Sequence, residues 1–116
     1  MNSTAESFIN ADHDIENLTS AIAEEFRPEQ IILFGSFADG RAKEDSDIDI
    51  CLIIDNNERV DLRKKIKKYL FGPNSKIGFG RAVDIVIYTP EQWARLIEES
   101  DSFAYEICKK GVVVYG

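Results

Sequence analysis

Apolar positions along the chain change their spacing several times, and each spacing implies an element. From Asp14 onward, Ile15, Leu18, Ile22 and Phe26 recur every three or four residues, which predicts an amphipathic helix ended by Pro28. The dozen residues before it are polar and read as a frayed end. IILFG (Ile31 to Gly35) is a short apolar run stopped by glycine, the pattern of a buried strand. The polar stretch SFADGRAKEDSD then leads into IDICLII (Ile48 to Ile54), a second strand of buried character. After a turn at Asp55-Asn56-Asn57, Leu62, Ile66, Tyr69 and Leu70 return to helical spacing until Gly72-Pro73. VDIVIY (Val83 to Tyr88) predicts the third strand.

The remaining segment carries explicit end signals. Thr89 can cap a helix, Pro90 suits its first position and Gln92 can reach back to the cap, while Trp93, Leu96 and Ile97 supply a buried stripe. A further turn or helix is expected to turn Phe103, Ile107 and Cys108 inward. It closes with Lys109-Lys110-Gly111, cations and glycine where a C-terminus favours them. VVVY (Val112 to Tyr115) is a last short strand. Strands without polar alternation, interleaved with helices, imply an α/β (α+β) fold: a small mixed sheet covered by helices. With no repeat and no linker, the 116 residues are expected to form one domain, residues 1–12 frayed.

Composition and charge narrow the class. A hydrophobic fraction of 44% supports one ordinary core. Fourteen Lys and Arg against 21 Asp and Glu leave a net charge of −7, which disfavours direct nucleic-acid binding and docking on anionic membranes. The apolar runs are too short to span a bilayer, and the N-terminus lacks the basic and apolar regions of a signal peptide. Cys51 and Cys108 lie in apolar segments, so both are expected to be buried free thiols in a reducing, cytoplasmic setting.

The chemistry concentrates between two strands. In an extended strand, residues i and i+2 share a face, so Asp47 and Asp49 project together with Cα atoms roughly 7 Å apart. Carboxylates that close repel unless a cation or a proton stands between them, and oxygen ligands beside a phosphate suit Mg²⁺ or Mn²⁺. Asp84 holds the same early place in the third strand and faces the pair if the two strands are neighbours. Gly35 at a strand tip allows close approach to the backbone, where the Ser36 hydroxyl and nearby N–H groups can hold phosphate oxygens. An anion cradle, a carboxylate pair and a third acid are the equipment of phosphoryl or nucleotidyl transfer. Ile50 stands where a calcium-binding EF-hand loop needs glycine, and no Gly-Lys-Ser/Thr is present for a P-loop.

GSFADGRAKEDSDID, with ten residues (Phe37 to Ser46) between Gly-Ser and Asp-x-Asp, resembles the signature of the DNA polymerase β-like nucleotidyltransferases. VDIVIY resembles the strand that brings their third acid, and KKGVVVYG is similar to the end of the minimal nucleotidyltransferase (MNT) domains. The resemblance implies Mg²⁺, with Mn²⁺ as an alternative, and ATP as the nucleotide attacked at its α-phosphorus with loss of pyrophosphate. It implies Asp47, Asp49 and Asp84 as catalytic metal ligands, Asp84 also as base, and Gly35 and Ser36 as holders of the β- and γ-phosphates. Many relatives carry arginine where this chain has Asp39. Here Arg41 is the nearest arginine, and with Ser46 it is a further candidate for nucleotide contact.

A stand-alone MNT domain resembles the antitoxins that accompany a helical HEPN partner, which implies AMP transfer to a tyrosine of that toxin and a hetero-oligomer with it. Transfer to a small hydroxyl compound beside a partner subunit is one alternative; a non-catalytic antitoxin that only occludes its partner is another. Arg59, Arg63, Lys64, Lys65, Lys67 and Lys68 read as a solvated basic face, with a triphosphate or acidic-partner contact as the sharper alternative. His13 is a lone histidine near the chain end, and Gly78-Phe79-Gly80 reads as a plain loop.

Overall fold

The computed structural model describes residues 3–55 and 61–116, with side chains from Asp12 onward; Asn56, Asn57 and Arg59, named above, lie outside the described residues. Helix α1 (Ser3–Phe26) is followed by β1 (Gln30–Phe34), a single helical turn α2 (Ser36–Asp39) and β2 (Ile48–Ile53). Then come α3 (Leu62–Phe71), β3 (Val83–Tyr88), α4 (Pro90–Leu96), α5 (Phe103–Lys110) and β4 (Val112–Tyr115). The four strands form one mixed sheet in the order β3-β2-β1-β4. β1 runs antiparallel to both β2 and β4, while β2 and β3 are parallel and joined through α3.

Strand parity divides the core. Ile31, Leu33, Ile48, Ile50, Leu52, Val83 and Ile85 turn to one face, against Leu18 and Ile22 of α1 and Ile66 and Leu70 of α3. Ile32, Cys51 and Ile53 turn to the other face, against Trp93 of α4 and Ala104 and Ile107 of α5. A strand buried on both sides has no reason to alternate, which is why β2 reads as a continuous apolar run. Its one interruption is Asp49, on the α4/α5 face of the sheet.

Four expectations need correction. The first helix begins at Ser3 rather than near Asp14, so residues read as frayed carry helical backbone. The polar stretch after Gly35 contains α2, a turn too short to leave a periodic signal. Cys108 is exposed while Cys51 is buried. Phe103 is 52% exposed, its ring meeting Phe34 edge-on at 5.6 Å rather than entering the core. The α4 end signals are present as expected. Thr89 Oγ1 accepts from the Gln92 N–H at 3.2 Å and Gln92 Oε1 accepts from the Thr89 N–H at 3.0 Å.

Candidate active site

The sheet register assembles the acids. Asp49 of β2 lies directly beside Asp84 of β3, and Phe34 at the end of β1 lies across from Asp49. Asp47 precedes β2 by one residue, and by parity it belongs to the same face as Asp49. On that face α4 and α5 cover the sheet over Cys51 and Ile53, so the acids lie beyond the cover, toward the start of the parallel strands. Asp47 and Asp84 are exposed and Asp49 is half-buried. The acids thus avoid the full penalty expected of charges inside an apolar run, and among the described residues no polar or charged side chain is buried.

The carboxyl of Asp49 is pushed up from 3.8 to about 6. Its partial burial contributes most, followed by the charge of Asp84, a side-chain hydrogen bond with Asp84, and the charge of Asp47. A cation between the two carboxyls would relieve the same repulsion that raises Asp49. That donor set, all carboxylate oxygen, fits a hard divalent cation. As the side chains stand, no three acidic, His or Cys residues among those described close into one ligand group. Asp47 acts on Asp49 through its charge, not as a third member of a finished cage.

Gly35 explains how the pair can meet a ligand. It caps α2 with φ 74° and ψ −150°, a conformation that L side chains avoid. A Cβ at this position would collide with Asp49 Oδ2, so only glycine lets the carboxylate lie against the β1–α2 turn. Ser36 is the first residue of α2, not its cap; the cap is Gly35 and uses no side chain. The Ala38 and Asp39 N–H groups donate to Gly35 O at 3.1 and 3.0 Å, which leaves those of Ser36 and Phe37 without a partner in the turn. The turn thereby presents backbone donors and the Ser36 hydroxyl beside the acids.

Two further candidates are engaged elsewhere. Arg41 pairs with Asp39 at 2.6 Å on the surface, its side chain 75% exposed. Ser46 Oγ accepts from the Lys43 N–H at 2.7 Å, which closes a turn within the loop. In the basic helix, Lys67 Nζ donates to the carbonyl of Val83, next to Asp84, and also lies over the Phe71 ring. Lys65 and Lys68 line a groove of about 570 Å³ with Phe26 and Tyr69, and none of the three acids borders it.

Arg81 is the polar residue here that pattern reading passed over. Its guanidinium donates to the carbonyls of Glu44 and Ser46 and to Asp14 Oδ2, and it lies over the Phe37 ring. A clue lies in its position, a long cation immediately ahead of the strand that carries Asp84.

Residues 16–116 match the family model described as polymerase beta, nucleotidyltransferase. The chain belongs to this nucleotidyltransferase family. The fold agrees with that of a candidate nucleotidyltransferase from Sulfolobus solfataricus, known from a crystal structure. The similarity has a TM-score of 0.57 at 22% identity and covers 97% of this chain and 86% of that one. No curated protein matches the chain. Nucleotidyltransferase domains typically use a divalent metal and a nucleoside triphosphate. Among the described residues, no helix is long and apolar enough to cross a membrane.

Proposed function

We propose that this nucleotidyltransferase moves AMP from ATP to a hydroxyl on another protein, a tyrosine of a HEPN-type helical toxin, and acts as its antitoxin. The observation that carries the transferase part is the in-register Asp49–Asp84 pair lying against the Gly35 turn. Asp49 and Asp84, with Asp47 beside them, would hold a divalent cation, Mg²⁺ or Mn²⁺, which when bound offsets triphosphate charge and acidifies the acceptor hydroxyl. The Ser36 hydroxyl and the backbone N–H groups of Ser36 and Phe37 donate to the β- and γ-phosphate oxygens. Asp84, exposed on the edge strand β3, accepts the proton from the tyrosine Oη. The Oη–Pα bond forms as the bond from Pα to the bridging oxygen breaks, and pyrophosphate leaves.

A macromolecular acceptor is supported by the openness of this edge. Asp47 and Asp84 face solvent, and α4 and α5 stop short of them. Water competes with any hydroxyl at such a site, so an acceptor chain that brings its own wall is favoured over a small free alcohol. Incubating the protein with labelled ATP and a HEPN-type partner should add one AMP to a partner tyrosine, read by intact mass. The Asp47→Asn/Asp49→Asn double variant should add none. A partner left unmodified yet still neutralised by the double variant would replace transfer with occlusion.

A further inference from the structure

We infer that Arg81 is a positioning residue for Asp47, holding the loop between α2 and β2 in the shape the acid cluster needs; this rests on the proposed metal-dependent reading of that cluster. The loop has little of its own to fix it. Arg41, Lys43, Glu44, Asp45 and Asp47 are exposed, and the turn from Lys43 to Ser46 is closed only by the Ser46 N–H donating to Lys43 O at 3.1 Å and the Lys43 N–H donating to Ser46 Oγ. Arg81 supplies the missing anchor. Its Nη1 donates to Glu44 O at 2.7 Å and Ser46 O at 3.2 Å, and its Nε donates to Asp14 Oδ2 at 3.1 Å.

The guanidinium carbon also sits 5.4 Å from the centre of the Phe37 ring, so α1, α2, the loop and the entry to β3 meet on one side chain. That side chain is 16% exposed, which shields its bonds to Asp14 and Ser46 from competing water, while the one to Glu44 O lies at the surface. The planar fork of arginine holds its donors at fixed angles to two carbonyls and a carboxylate, whereas the three donors of a lysine rotate about one point.

The consequence falls on Asp47. The Ser46 carbonyl belongs to the peptide unit that ends at the Asp47 nitrogen, and that unit is planar. Holding the carbonyl fixes the plane from which the Asp47 side chain departs, on the residue next to the first of β2. Coulomb's law alone gives the opposite sign for a variant: removing a cation near a cluster of acids should tighten its hold on a divalent cation. A positioning role predicts weaker binding, because groups that orient a metal's ligands typically change affinity by about tenfold or more when removed.

The test uses the whole chain, free of metal, titrated with Mn²⁺ while free ion is followed by EPR. Arg81→Ala should bind Mn²⁺ about tenfold more weakly than the wild type. In the double variant Arg81→Ala/Asp47→Asn, affinity should fall no further than in Asp47→Asn alone. Backbone ¹⁵N order parameters should drop for residues 43–47 and stay unchanged for residues 18–22 and 48–53. Arg81→Gln carries the same comparisons if the alanine variant does not fold. Unchanged or tighter Mn²⁺ binding, losses that add in the double variant, or an equally ordered loop would each overturn the assignment. A wild type that binds no Mn²⁺ would overturn the metal reading of the cluster instead, and the order parameters would then decide the clamp alone.

Discussion

Asp49 carries a proton at a pH where most carboxyls have lost theirs, and this has a sign that can be measured. In the unfolded chain it ionises near 3.8, in the folded protein at about 6. Across that window the folded state binds more protons, so stability falls as pH rises from about 4 to above 6. Asp49→Asn removes this penalty. In chelator, the variant and the wild type should melt alike near pH 4, and the variant should melt higher above pH 6.5. The gain is about 1 kcal/mol after allowing for solvent screening at a half-exposed group. Divalent cation should raise the wild-type melting temperature and leave the variant unmoved; the same response in both would remove Asp49 from the ligand set. Gly35 predicts the reverse pattern. Gly35→Ala forces an L side chain to φ 74°, ψ −150° and drives a methyl into Asp49 Oδ2, so about 1–3 kcal/mol of stability or more and the nucleotide site should be lost together. Ser36→Ala should leave melting unchanged while weakening nucleotide binding by about one to two decades, the value of one hydrogen bond to a charged phosphate. Thermal scans and calorimetric titration with a non-hydrolysable ATP analogue separate the two.

At the scale of elements, α5 shows how a helical stripe can be half right. Phe103 and Ile107 are four residues apart and share a face, and spacing alone gives both the same fate. Ile107 is 1% exposed and packs under the sheet, while Phe103, in the first turn, reaches past the covered area to the rim beside Phe34. Ile107→Ala should therefore cost about 2–4 kcal/mol and Phe103→Ala under about 1 kcal/mol, measured by urea unfolding. Equal costs would mean that Phe103 is buried in solution. The same helix misleads at Cys108, which follows Ile107 and so turns outward.

For the molecule as a whole, the sheet separates two packed layers, and the two thiols report on different parts of it. Cys51 lies in the centre of β2, fully buried, with its thiol pushed up to about 12 by burial. Cys108 is on the surface of α5. A thiol reagent should label one cysteine rapidly in the native protein and both in denaturant, counted by mass. Labelling of Cys51 under native conditions should then proceed only as fast as the sheet opens. Native labelling of both at similar rates would contradict the layered core.

The chain's own pattern determined the longer helices from Asp14 onward and the four strands, but not the Ser3 to His13 part of α1, because three- and four-residue spacing and uninterrupted apolar runs are local properties. It also determined the Gly35-Ser36 and Asp47-x-Asp49 halves of the site, since each half is a short run whose geometry follows from a strand end and a two-residue pleat. The single turn of α2 escaped because four residues span barely one helical period. What only the tertiary structure decided is which distant pieces are neighbours. Asp84 faces Asp49 because the α3 crossover places β3 parallel and in register with β2. Gly35 touches Asp49 because β1 pairs antiparallel on the opposite side of β2. Arg81 meets Asp14 across 67 positions of sequence. Such pairings follow from chain topology and side-chain packing, which no local periodicity encodes.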